Sequence, residues 1–230
     1  MKTIGLIGGM SWESSATYYR MINEAVKEQL GGLHSAKCIL YSVDFDEIER
    51  YQTEGDWNAA GRRLSDAARS LEKAGADFVV ICTNTMHKVV DQIEKSIQIP
   101  VLHIADATAK QIQQSGIQTV GLLGTRYTME QDFYKERLTS QGINVMTPPT
   151  EDRNRINQII FNELCLGKIE NASRDYYKAV ISQLVADGAE GIILACTEIG
   201  LLISQEDAAV TLFDTTEIHA LEAVKLALEE

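Results

Sequence analysis

The stretch GADFVVICTNT (residues 75–85) returns 113 residues later as GAEGIILACTE (residues 188–198). Each copy opens on a glycine of the kind that ends a helix. Each continues as a short apolar run rich in β-branched residues, the pattern of a buried strand. Each closes on side chains that carry chemistry: a thiol, hydroxyls, and either an amide or a carboxyl. A second pair, TIGLIGGMSWESSATYYR (3–20) and TVGLLGTRYTMEQDFYKE (119–136), repeats at an offset of 116. Two matches in the same order at nearly equal offsets predict two similar α/β lobes.

Outward from these repeats, short apolar runs alternate with amphipathic stretches. The runs at 3–7, 38–43, 78–83, 101–104, 119–123, 143–146, 191–196 and 210–213 read as strands. The stretches WNAAGRRLSDAARSLEKAGA and SRDYYKAVISQLVADGA read as helices that end near a glycine. Strand–helix alternation implies mostly parallel sheets, joined by right-handed crossovers and covered by helices on both faces. The expected fold is α/β: two pseudo-symmetric lobes, each with such a sheet, and an active-site cleft between them.

Composition narrows the function. The 230 residues carry a formal net charge of −12, and no basic cluster offsets it. Nucleic-acid binding draws on cations against phosphate and is disfavoured. No apolar run reaches the roughly 18 residues of a membrane span. The amino terminus lacks the cleavage pattern of a signal peptide, so a cytoplasmic location is expected. Cys38, Cys82, Cys165 and Cys196 are scattered without metal-type spacing, so no metal is expected and the thiols should be reduced. GLIGGM lacks the GxGxxG spacing, and no dinucleotide is implied.

The repeat also ranks the candidate side chains. Without gaps, Thr83 falls opposite Cys196, Cys82 opposite Ala195, Asn84 opposite Thr197, and Thr85 opposite Glu198. Equivalent strand ends meeting across one cleft would oppose Thr83 to Cys196 and turn Cys82 into a core, the commoner fate of a free cysteine. Two proton-transfer groups on opposite sides of a small molecule suit inversion at carbon. A helix start at Thr197-Glu198 would favour the Cys196 thiolate. Asn84, Thr85, Thr125 and Thr197 would grip a carboxylate and stabilise a developing enolate.

IILACTEIGLL, CTNTMH and the opening IGLIGGMSWES resemble the aspartate/glutamate racemase family, and the similarity runs end to end. The resemblance implies cofactor-independent racemisation of an amino acid by two thiols at the interface of two α/β lobes, often in a homodimer. It also implies that the last helix returns to the first lobe, giving lobes of 1–100 plus 216–230 and of 101–215. Three departures stand out. Thr83 occupies the place of the family's first thiol. Thr197-Glu198 replaces the Thr-His of cell-wall glutamate racemases, and GGMSWES replaces their Asp-Ser-Gly loop. Cys165, before Leu166 and Gly167, stands where aspartate racemases tend to carry lysine, leaving Lys168 as the nearest cation.

Threonine is a poor base. Cys196 is therefore expected to be the main acid/base, with Thr83, or a water that it holds, completing inversion and His87 assisting. An acidic amino acid, glutamate or aspartate, is the substrate class implied by the resemblance. Its second carboxylate needs a cation or several donors, and Arg50, Gln52 and Arg126 are the candidates, with Met10 and the Gly8-Gly9 turn on the first-lobe wall. Two alternatives differ in kind. A single-thiol decarboxylase or isomerase of small diacids needs only one acid, and a non-catalytic amino-acid-binding protein would keep the pocket without the exchange.

Overall fold

The computed structural model describes residues 1–229, so the last residue of the 216–230 span lies outside the described residues. All eight expected strands are present. In chain order the elements are β1 (Ile4–Gly8), α1 (Trp12–Leu30), β2 (Cys38–Ser42), α2 (Phe45–Glu54), α3 (Trp57–Lys73) and β3 (Phe78–Ile81). A 3-10 turn (Thr85–Val89) leads into α4 (Val90–Glu94), β4 (Val101–Leu102) and α5 (Ile104–Gln114). The second half runs β5 (Thr119–Gly124), α6 (Arg126–Glu130), α7 (Asp132–Thr139), β6 (Asn144–Met146) and α8 (Thr150–Asn162). A 3-10 turn (Leu164–Leu166) then precedes α9 (Asn171–Ala186), β7 (Gly191–Ala195), α10 (Ile199–Leu202), β8 (Thr211–Asp214) and α11 (Thr215–Leu228).

The strands form two four-stranded sheets, ordered β2-β1-β3-β4 and β6-β5-β7-β8, and every pairing is parallel. This is one topology used twice. In each sheet the first crossover runs to one side and the later ones to the other. The order therefore reverses between β1 and β3, and between β5 and β7. Ligands of open α/β sheets bind beyond the carboxyl ends of the strands at such a point.

The glycines that open the repeated stretch explain why the strands begin where they do. Gly75 and Gly188 have φ of 94° and 112°, values that a side chain disfavours. Gly75 N–H donates to the Glu72 carbonyl (3.0 Å) and Ala76 N–H to that of Leu71 (3.1 Å). Gly188 and Ala189 repeat this with Val185 (3.0 Å) and Leu184 (2.9 Å). Both sets form a Schellman turn, which satisfies the last carbonyls of α3 and α9 and aims the chain into the sheet. Gly188→Ala is expected to cost about 1–2 kcal/mol, because a Cβ must adopt this left-handed backbone. Urea denaturation of the variant against the parent measures the loss.

Within unit 1 (Met1–Ile104 and His219 onward), side chains alternate between two cores with the strand period of two. Phe78, Val80 and Cys82 join Ile4 and Leu6 against Tyr18 and Ile22 of α1 and Ala220 and Val224 of α11. Val79, Ile81 and Ile7 face the other way, onto Leu64, Ala68 and Leu71 of α3 and Ile93 of α4. Within unit 2 (Ala105–Ile218), Ile192, Leu194 and Cys196 pack with Ile159 and Ile160 of α8 and Tyr177, Ile181 and Leu184 of α9. Ile193 and Ala195, of the opposite parity, are fully buried too.

The boundaries differ from those expected. The family resemblance implies that residues 101–104 belong to the second lobe, but β4 pairs with β3 (Val79 with Val101, Val80 with Leu102) and closes the first sheet. The return also comes later, at His219 rather than 216. Thr215 Oγ donates to the Leu194 carbonyl (2.9 Å) and holds the start of α11 in unit 2. His219 Nε2 donates to the Leu102 carbonyl (2.8 Å) in unit 1.

Candidate active site

In unit 1 the switch point is built from the loops after β1 and β3. Ser11 caps α1, accepting from Ser14 N–H (3.3 Å). Ser15 Oγ donates to the Ser11 carbonyl (3.0 Å) and accepts from Gly9 N–H (2.8 Å). Ser14 Oγ donates to the Cys82 carbonyl (3.0 Å), tying one loop to the other. Met10, from the same turn, is buried in the α3-side core.

Beyond β3 the chain turns sharply, with Thr83 N–H donating to the Ile81 carbonyl (2.8 Å). Thr83 is half-buried, whereas Asn84 and Thr85 are buried. Cys82 lies fully buried in the α1/α11 core, and burial pushes its thiol far above the ordinary range. It is inert, as a small apolar residue should be.

His87 has a structural task. Ile104 N–H donates to its Nε2 (3.2 Å), so Nδ1 carries the proton and donates to the Thr83 carbonyl (2.8 Å). At 1% exposure, the ring braces the Thr83 backbone and uses both nitrogens to do so. His103 packs beside it, with ring centroids 4.5 Å apart. Gln52, on α2, is also buried, its amide donating to Met86 Sδ (3.1 Å). Arg50 is exposed, its guanidinium 5.5 Å from the Tyr51 ring centroid. Trp57 carries the Lys88 ammonium 3.9 Å from its ring centroid, a cation–π pair that the sequence did not signal.

In unit 2 the equivalent loops follow β5 and β7. Thr125 caps α6, accepting from Thr128 N–H (3.4 Å), and its hydroxyl lies 3.2 Å from that of Thr128. Arg126 is exposed, and its N–H donates to Asn157 Oδ1 (2.9 Å). Lys168 is exposed as well, past Gly167.

Cys196 follows β7 and is 9% exposed. Its thiol donates to Glu198 Oε2 (3.1 Å), and Thr197 Oγ donates to the same oxygen (2.6 Å). Burial, followed by the Glu198 charge and then Cys165, raises the thiol well above the ordinary range. This corrects the expectation of a thiolate favoured by a helix start. The helix begins only at Ile199 and is four residues long, too short to present a strong dipole. The nearest carboxyl also opposes the negative sulfur. Thr197, expected to grip substrate, spends its proton on Glu198.

Two further groups that the sequence did not single out complete the surroundings. Tyr177, on α9, is fully buried, and its hydroxyl has no hydrogen-bond partner among the described residues. Its phenol is pushed well up, by burial first and then by the charges of Cys196, Glu163 and Cys165. Glu163 accepts from Ser173 Oγ. The signal for Tyr177 was its position in the α9 pattern, which reads as ordinary core. Among the described residues no cluster of three or more His, Cys, Asp or Glu side chains is arranged to hold a metal ion. No helix among the described residues is long and apolar enough to cross a membrane.

Comparison with known proteins adds context. The sequence profile of the family described as Asp/Glu/Hydantoin racemase matches residues 7–223. A crystal structure from Yersinia pestis, described as that of a candidate Asp/Glu racemase, is 62% identical over the full length of both chains, with a TM-score of 0.94. An aspartate racemase homologue from Pyrococcus horikoshii is 36% identical, also over the full length of both, with a TM-score of 0.87. The broad specificity amino-acid racemase RacX of Bacillus subtilis is 22% identical over 98% of each chain.

Proposed function

Since the chain belongs to the Asp/Glu/Hydantoin racemase family, we propose that it interconverts the enantiomers of an acidic amino acid, glutamate or aspartate, without a cofactor. The observation that carries this reading is Cys196. It is a thiol at the carboxyl end of β7, beside the strand-order reversal, and it is hydrogen-bonded to a carboxyl rather than sealed among apolar groups alone.

In this reading Cys196 is the main acid/base. It takes the Cα proton from one enantiomer, and the electron pair left on carbon delocalises into the substrate carboxylate. Thr83, or a water that it holds, returns a proton to the other face. The mechanism requires these two groups on opposite faces of Cα. Asn84, Thr85, Gln52 and Thr125 supply polar contacts, and Met10 an apolar one. Unit 2 offers sulfur, carboxyl and phenol around Cys196, so the substrate's ammonium is the group best suited to that side. A homodimer in the cytoplasm completes the proposal.

Free enantiomers have equal energies, so kcat/KM must be equal in the two directions, although kcat and KM individually need not be. Incubating L- and D-glutamate and L- and D-aspartate in heavy water and following loss of the Cα proton signal tests the reading. Loss of signal together with appearance of the opposite enantiomer is the expected result. Thr83→Ala is expected to lower turnover by about 100-fold, the lower end of the range for loss of one proton-transfer group. Thr83→Cys should bring the separate kinetic constants for the two enantiomers closer together, and chiral chromatography of timed samples reads both.

A further inference from the structure

The geometry points to Glu198 as the proton partner of Cys196: the carboxyl receives the thiol proton while sulfur takes the proton from Cα, and then gives it back. This deepens the racemase reading and rests on it. Glu198 is 5% exposed. Its Oε2 accepts from both Cys196 Sγ (3.1 Å) and Thr197 Oγ (2.6 Å), so three consecutive residues form one hydrogen-bonded unit with the sulfur at its working end. Ile199 N–H donates to the Cys196 carbonyl (3.1 Å) and Leu201 N–H to that of Glu198 (3.1 Å), which fixes the backbone carrying the unit.

The chemical need is plain. A buried thiol has to lose its proton before it can act as a base, and sending that proton to bulk water would create a new charge in a desolvated place. Moving it to a carboxyl 3.1 Å away leaves the charge of the pair unchanged, so the desolvation penalty is not incurred anew. The steps balance. The S–H bond breaks as the Glu198 O–H bond forms. The thiolate pair then takes the proton from Cα, the Cα–H pair stays on the substrate, and S–H is restored. In the reverse direction the thiol protonates the carbanion, and Glu198 O–H reprotonates the sulfur. Between turnovers Glu198 exchanges its proton with water, and Thr83, or the water that it holds, recovers the proton it gave, so both ends return to their starting forms. Glu198 is thus a positioning residue that acts through Cys196.

Other titratable groups also face the pair. Cys165 comes from the turn before Gly167, Glu163 from the end of α8 and Tyr177 from α9. Asp214, at the end of β8, lies against Gly200 of α10. Glu198 is the group that receives the thiol hydrogen bond.

The test pairs two readouts that a merely structural residue would not drive in opposite directions. In Glu198→Gln, alkylation of Cys196 by iodoacetamide, mapped by mass spectrometry across pH, should shift its midpoint downward by about one pH unit, because a like charge has gone. Cα exchange in heavy water should nevertheless fall by about 100-fold, since the proton has lost its acceptor. Glu198→Asp, which keeps the carboxyl but withdraws it by one methylene, should lose about 10-fold in exchange, and it serves if the glutamine variant does not fold.

Exchange that is unchanged or faster in Glu198→Gln overturns the proposal, as does full parental exchange in Glu198→Asp. A Cys196 alkylation midpoint that ignores Glu198→Gln overturns the pairing whatever the substrate. Absence of Cα exchange in the parent protein with all four amino acids overturns the racemase reading instead, and the alkylation arm still decides whether the thiol and the carboxyl are linked.

Discussion

Cys196→Ser is expected to lower deuterium incorporation at Cα by on the order of 10³-fold or more, with either enantiomer as the starting material. The substitution nearly preserves volume at a site that is 9% exposed, so packing with Ile199 and Tyr177 survives. What disappears is an ionisable sulfur. A serine hydroxyl donates to Glu198 as the thiol does, but its anion is far too costly to form in a desolvated site. Circular dichroism and the thermal midpoint should match the parent, which separates lost chemistry from lost fold. Parental exchange rates in the serine variant would remove Cys196 from the mechanism altogether.

Stability is expected to fall by roughly 3 kcal/mol between pH 6.5 and pH 4 through His219 alone. The ring is fully buried in unit 1. Its Nδ1 accepts from Tyr18 Oη (2.9 Å), and its Nε2 donates to the Leu102 carbonyl (2.8 Å). Both nitrogens are satisfied in the neutral form. Burial brings the pKa down to about 4, against the small upward pull of the Leu102 hydrogen bond.

The sign follows from proton uptake. Below pH 6.5 the unfolded chain binds a proton that the folded one refuses, so stability drops until the folded ring also titrates, and the effect levels off below about pH 4. His219→Gln, which cannot titrate, isolates the contribution. The parent should be the more stable protein at pH 7, and its advantage should close as the pH falls, read from urea midpoints at each pH. Carboxylates such as Asp207 titrate in both proteins and cancel. An advantage that stays constant from pH 7 to pH 4 would contradict the burial argument.

Much of this fold could be read from the repeated stretch. The Gly75 and Gly188 turns, the strands that follow, and the inward aim of Cys82 all come from local patterns that tertiary structure did not overrule. The misplacement of residues 101–104 had a remedy in the same repeat. VTLF (210–213) closes the second sheet as VLHI closes the first, so the two runs belong at equivalent ends.

The site was only partly legible. Thr83 and Cys196 stood out because the repeat superimposes them. The hydrogen bond between Cys196 and Glu198 could not be read from spacing alone, because it depends on where the short turn before α10 directs the carboxyl. Tyr177 was hidden because a tyrosine in an ordinary core position and one whose buried hydroxyl lies near Cys196 carry the same letter. His87 shows the converse. A histidine four residues after Thr83 invites a chemical role, yet its ring is the brace that holds the backbone of that residue.

The discontinuity of unit 1 also dictates an order of assembly. Residues 105–218 form a closed stretch of chain that leaves the ribosome before the last helix is made. The first sheet by then has α1 against Ile4, Leu6, Phe78 and Val80, but it lacks Ala220, Ala223, Val224 and Ala227 on the same side. The amino-terminal half thus keeps a greasy flank bare until α11 has been made, although domains usually mature from the amino end first. In this protein the middle of the chain is free to settle before its beginning can.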